Sequence, residues 1–287
     1  MCDRDSKSFI VDTSVTRRSV VLGLSSVVAA TGLPSAALAG NVTETDVMIK
    51  TADGSADAVL FHPAGRGSWP AVLLWPDILG LRPVFREMGR RLAGEGYVVL
   101  VPNPFYRTKR APIVTGAFDF GDKAAVGQLM DLKGTLTDAR VDADTQSYLG
   151  FLDLQKQVNR RKGAGVQGYC FSGPYAFRAA ALRPNRIRAV ASFHGGGLVT
   201  KDANSPHRLI PRAKASFLVA IARNDDQKQP DAKTILKSAF AAARRPAVVE
   251  VYPADHGWCV AGSQAYNERA AERAWLNLRR LYRANLG

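Results

Sequence analysis

Cys170 stands in Gly168-Tyr169-Cys170-Phe171-Ser172-Gly173, between an apolar, strand-like run (Gly165 to Tyr169) and a helical pattern from about Ser172 to Leu182. Strand, sharp turn and helix form the setting that lifts a nucleophile above the end of a sheet. Backbone crowding in such a turn calls for small residues two positions to either side, and Gly168 and Ser172 meet that need. Ser172 stands where glycine is usual, so its side chain must still fit. The N-terminus of the following helix favours a thiolate over a thiol. A thiolate hydrolase needs a base and an acid that orients the base. Asp225 follows the apolar run Ser216 to Ala222, and His256 follows Ala247 to Tyr252. The order nucleophile, acid, histidine is the one this strand-turn-helix arrangement requires. His256 would act first as general base and then as general acid, with Asp225 fixing its tautomer. Asp226 competes with Asp225 for that role. Asp255, adjacent to His256, cannot easily turn back onto the ring and reads as structural.

The remaining histidines and cysteines narrow the chemistry. His194 and His207 have no neighbouring ligand pattern and there is no CxxC, so neither a metal nor another cofactor is expected. Of the three cysteines, Cys2 lies near the start, which leaves Cys170 and Cys259. A disulfide between these two would consume the nucleophile. Cys259 is therefore expected to be a free, partly buried thiol in apolar packing.

The elements that must position these groups alternate along the chain. Val47 to Lys50 and Ala58 to Phe61 read as short strands around an Asp53-Gly54 turn. Pro70 to Pro76, Tyr97 to Val101 and Arg188 to Phe193 read as buried strands. Helical patterns cover Pro83 to Glu95, Asp138 to Arg161, Pro230 to Ala243 and Ser263 to Asn285, with a loop-and-helix insert at 103–136. Strands separated by helices imply βαβ units. The fold class expected is α/β, a mostly parallel central sheet flanked by helices, in one domain over 40–287.

Three segments together carry a family resemblance. Gly168-Tyr169-Cys170, Ala254-Asp255-His256-Gly257-Trp258 and the stretch Arg90 to Tyr106 resemble the dienelactone hydrolase family of α/β-hydrolases, and the likeness extends over nearly all of 45–285. The resemblance implies cleavage of an ester or lactone bond in a small-molecule substrate. It implies an oxyanion hole made by the backbone N–H groups of Phe171 and Ile78. It places Asp77 where the family carries an acid that contacts the thiol, with a side chain one methylene shorter than the usual Glu. The alternative for Asp77 is a helix-capping or loop acid. Arg107 lies near the family arginine that holds a substrate carboxylate, so one anionic group is expected there. A second family arginine falls four residues beyond the histidine, where this chain has Val260. Two other readings keep the scaffold: a general carboxylesterase or thioesterase, and a non-catalytic exported binding protein.

Composition bounds the rest. The 287 residues are 46% hydrophobic and 22% charged, with a formal net charge of +14. A surface this basic attracts anions, but the arginines are scattered and accompany no nucleic-acid motif, so no nucleic-acid partner is expected. Arg17-Arg18 precede an uncharged run, Ser19 to Ala39, that ends in Ala37-Leu38-Ala39. This is the layout of a cleaved export signal of the twin-arginine type, over 1–39. It predicts a periplasmic protein without stable membrane insertion. Oligomeric state is not legible.

Overall fold

A computed structural model describes residues 41–116 and 118–287. The expected export segment lies outside the described residues. The chain runs β1 (Val42–Thr51), β2 (Gly54–Pro63), β3 (Ala71–Trp75), α1 (Pro83–Gly94), β4 (Val98–Pro102), α2 (Lys123–Gly134), α3 (Asp138–Leu154) and β5 (Ala164–Tyr169). A 3-10 turn at Cys170–Ser172 leads into α4 (Gly173–Leu182). There follow β6 (Ile187–Phe193), α5 (Pro206–Leu209), β7 (Ser216–Ala222), α6 (Arg223–Lys228), α7 (Ala232–Ala242), β8 (Ala247–Tyr252) and α8 (Glu268–Asn285).

The strands form one sheet in the order β1-β2-β4-β3-β5-β6-β7-β8. β1 and β2 make an antiparallel hairpin, β2 pairs antiparallel with β4, and the strands from β4 to β8 run parallel. The central strands are buried on both faces, as a parallel sheet between helices requires. In β3, Ala71, Leu73 and Trp75 join one core, with Tyr148 of α3 and Phe177 of α4. Val72 and Leu74 join the other, with Phe85 of α1 and Trp275, Leu278 and Tyr282 of α8. Full burial of each such side chain stabilises by about 1.5–3 kcal/mol.

Two helix boundaries differ from the sequence expectation, each for a visible reason. α3 stops at Leu154, because residues 157–159 leave the helix to pair with Trp69: Trp69 N–H donates to Gln157 O and Asn159 N–H to Trp69 O. α8 starts at Glu268 because the Asn267 side chain accepts from Ala270 N–H and caps it. The preceding residues fold into turns around Ser263 instead.

The strand order reverses at β3, which lies between β4 and β5. A crevice at the carboxyl ends of the strands opens at such a reversal and is where open α/β sheets place their sites. The turns after β3 and β5 carry Asp77-Ile78 and Cys170.

Candidate active site

The turn that presents Cys170 is set by its neighbours. Cys170 has φ 57°, in the left-handed region that non-glycine residues enter rarely. A side chain at position 168 would put its Cβ 2.1 Å from the carbonyl oxygen of Ser172, so only glycine fits there. Gly173 faces the same restriction from Gly195 Cα at 2.7 Å and from Ser192. Ser172 fits because its hydroxyl is put to use. It accepts from Tyr169 N–H at 2.9 Å and lies 3.0 Å from Trp75 O, which ties the end of β5 to the end of β3. α4 begins immediately after this turn and directs its N-terminal end towards the nucleophile's segment.

The histidine arrives from the loop after β8. Its Nδ1 lies 2.6 Å from Asp225 Oδ2, and its backbone N–H donates to Asn224 Oδ1 at 2.9 Å. Both partners sit in the first turn of α6, so the end of β7 holds the ring and the backbone of the histidine together. Asp226 turns away and pairs with Lys233, while Asp255 pairs with exposed Arg223. The geometry thus selects Asp225 over Asp226. Burial by itself works against a charged His256. The electrostatic influence of Cys170, and then the hydrogen bonds the ring makes with Asp225 and Cys170, overcome it and push the imidazole up to about 10.

Two backbone donors complete the crevice. Leu79 N–H and Gly80 N–H are taken by the carboxylate and carbonyl of Asp77. Ile78 N–H, between Asp77 and Leu79, has no protein acceptor among the described residues. Phe171 N–H belongs to the opening of the 3-10 turn, ahead of its first internal bond from Gly173 N–H to Cys170 O. Both N–H groups are available to an oxyanion.

Two residues named from the sequence have other partners in the structure. Asp77 lines the crevice but forms no hydrogen bond with Cys170 among the described residues. Arg82 holds its carboxylate bidentately at 2.5 and 2.8 Å, and Leu79 N–H donates to it at 3.0 Å. These are the bonds that a loop acid would make. Arg107 does not line the crevice at all. Its guanidinium is pinned by Asp144 at 2.7 and 2.8 Å and by Asp53 at 2.7 Å. Tyr106 also donates to Asp144 at 2.8 Å. The arginine joins the β1–β2 turn to α3 and is not free to take a substrate carboxylate. Val260, in the place of the second arginine, is buried in the core. Neither half of the expected carboxylate clamp is therefore present.

The crevice encloses about 950 Å³, and beside Cys170 and His256 it is lined by Phe120, Met130, Phe171 and Tyr175. Lys133 is the lining cation without an ion-pair partner among the described residues. Nothing in the sequence singles out Lys133 or Met130, which come from α2 in the insert at 103–136. The sequence reading also undervalued Asn224 and His194. The signal for both was their position at the carboxyl ends of strands, Asn224 just after β7 and His194 at the end of β6. Cys170 and Cys259 are both free thiols, and Cys259 is buried, with Sγ 3.4 Å from His194 Nδ1. Among the described residues no cluster of side chains could hold a metal ion and no helix is long and apolar enough to cross a membrane.

Comparison with known proteins follows the same lines. A family model described as the dienelactone hydrolase family matches residues 56–285. A carboxymethylenebutenolidase of Pseudomonas sp. strain P51 is 27% identical over 73% of this chain and 82% of its own. One of Rhodococcus opacus is 28% identical over 43% of each chain. Among solved structures, a dienelactone hydrolase-like promiscuous phosphotriesterase from metagenomic libraries superposes with a TM-score of 0.69. It is 21% identical, over 86% of this chain and all of that one.

Proposed function

The chain belongs to the dienelactone hydrolase family, and from that premise we propose that it cleaves a carboxylic ester or lactone through Cys170, His256 and Asp225. One observation carries this reading: an imidazole bonded to Asp225 at 2.6 Å in the same crevice as a strained, turn-mounted cysteine. The thiolate of Cys170 attacks the carbonyl carbon and forms a C–S bond. The carbonyl electron pair moves onto oxygen, where the N–H groups of Phe171 and Ile78 stabilise it. As the tetrahedral species collapses, the C–O bond to the leaving alcohol breaks and the imidazolium of His256 gives that alkoxide its proton. His256, now neutral, takes a proton from water as the water attacks the thioester. Collapse of this second species releases the acid and restores the thiolate–imidazolium pair. Asp225 holds the ring and its charge throughout.

The substrate follows from the crevice. Phe120, Met130, Phe171 and Tyr175 suit an apolar acyl or alcohol portion. The sequestered Arg107 and buried Val260 argue against a substrate that needs a paired-arginine clamp, and they favour a neutral or singly anionic ester. Lys133 is the group that an anionic substituent would meet. The reaction requires no metal or cofactor. We further place the protein outside the cytoplasm, on the strength of Arg17-Arg18 and the uncharged run that follows them.

The decisive experiment is substitution of the nucleophile. Cys170→Ala should abolish hydrolysis of p-nitrophenyl acetate and of small lactones while the circular dichroism spectrum stays native. Cys170→Ser should also be poor, because a hydroxyl has a far higher pKa than the thiol this site ionises. A Cys170→Ala enzyme with most of its kcat would refute the mechanism.

A further inference from the structure

His194 has no step in this mechanism, yet it sits against the mechanism's central ring. It ends β6 with φ 40°, again in the left-handed region, and its side chain is buried. Its ring meets that of His256 edge-on, with centroids 4.7 Å apart and planes at 70°. On its other side Nδ1 lies 3.4 Å from Cys259 Sγ. It also forms part of the crevice wall.

We propose that His194 is a positioning residue, a ring wedged between Cys259 and His256 that fixes the imidazole of His256 against Cys170 and Asp225. The need arises from the geometry. The hydrogen bonds with Asp225 and Cys170 fix two points of the His256 ring, and a ring held at two points can still turn about the line between them. The loop that carries His256 is irregular and turns at Gly257, with φ 94°. Packing must therefore set the plane of the ring, and the edge of His194 supplies that packing. Cys259 in turn ties His194 to the same loop, three residues beyond His256, so wedge and histidine are registered to each other. The backbone adds a second tie: His194 N–H donates to Ala220 O at 2.8 Å, on the neighbouring β7.

A wedge beside an imidazolium must not carry a positive charge. Burial, and then the charge of His256, push His194 well below the ordinary histidine value, so it stays neutral. The groups facing it come from several elements. His256, Cys259 and Trp258 belong to the loop between β8 and α8. Tyr169 ends β5, its ring centroid 6.1 Å away. Cys170 O accepts from Gly196 N–H, two residues beyond His194. Asp77, after β3, acts on Cys259 by its charge. Burial holds Cys259 as a neutral thiol, which leaves the uncharged His194–Cys259 pair undisturbed.

The inference rests on the Cys170–His256 reading, and its test is separable from it. His194→Asn removes the ring but tolerates the left-handed backbone, whereas His194→Phe keeps a flat ring without the titration. Each variant is assayed for kcat and KM on p-nitrophenyl acetate, for thermal unfolding, and for the pH dependence of Cys170 alkylation by iodoacetamide. His194→Asn should lower kcat about 10- to 100-fold with KM within about twofold, and move the alkylation profile to higher pH. His194→Phe should recover most of the rate and the native profile. A folded His194→Asn enzyme with native kcat and alkylation profile overturns the proposal, as does a lowered Tm without a displaced profile. Equal losses in both variants overturn it too. Should His194→Asn fail to fold, His194→Phe decides alone: a native profile in the folded enzyme supports the wedge, and a displaced one refutes it. Failure of the underlying reading has a different signature, a wild-type enzyme that stays active after Cys170 is alkylated.

Discussion

At the scale of single residues, the site depends on groups held where isolated chemistry would not place them. Cys170 occupies a left-handed backbone conformation because Gly168 leaves room for the carbonyl of Ser172 and because the Ser172 hydroxyl bridges β5 to β3. His256 is the residue whose titration has the largest consequence. Burial opposes its charge, but Cys170 and Asp225 raise its pKa to about 10, against roughly 6.5 in an unfolded chain. Between those two values the folded chain keeps a proton that the unfolded chain releases. The stability from this group is therefore complete below about pH 6.5 and is lost as pH rises through about 10. Urea unfolding of the wild type and of His256→Gln, compared from pH 6 to pH 10, should show a difference that shrinks with rising pH. A difference that is constant, or that grows with pH, would contradict a raised His256 pKa.

At the scale of elements, Arg107 is engaged away from the crevice, and Lys133, to which the sequence reading gave no role, lines it. Arg107 joins the β1–β2 turn to α3 through Asp53 and the buried carboxylate of Asp144. Burial raises the pKa of Asp144, and Arg107 and Tyr106 act to lower it. Arg107→Ala leaves that buried carboxylate unpaired and should cost about 3–5 kcal/mol in urea unfolding. The preference between charged and neutral esters should not change. Lys133→Glu on exposed α2 should do the reverse. It should leave stability near native and lower kcat/KM for an ester with a free carboxylate by roughly five- to tenfold relative to its neutral counterpart. Identical effects of Lys133→Glu on both esters would show that α2 contributes no charge recognition.

At the scale of the whole molecule, the net charge is +14, and among the described residues arginines such as Arg86 and Arg91 are held in surface ion pairs. The crevice itself carries few charges, and most of those are paired. The proposed export would involve the entire chain, since a twin-arginine signal carries a folded protein across the membrane. Replacing Arg17 and Arg18 with lysine should leave the precursor in the cytoplasm, as cell fractionation and immunoblotting would reveal. Unchanged export would point to the general secretory route.

The alternation of strand and helix, the turn at Cys170 and the order of Cys170, Asp225 and His256 were legible in the sequence. Those features are local: a period of two or of 3.6 residues, a glycine that no other side chain can replace, and residues that follow apolar runs at strand ends. Also legible were the β1–β2 turn and the starts of α1 and α3, where Pro83 and Thr137 act within a few residues. The tertiary structure decided what each charge faces. Asp77 and Arg107 matched the expected positions in sequence, but Arg82 and Asp144 reached them first across 5 and 37 residues. The insert at 103–136 was unreadable because α2 buries only Leu129, so no apolar stripe marks the face that Met130 and Lys133 turn towards the crevice. His194 stayed hidden because its meaning lies in contacts with residues 62 and 65 positions away, His256 and Cys259. Long-range partners of this kind leave no periodicity in a sequence and arise only when the sheet brings its strand ends together.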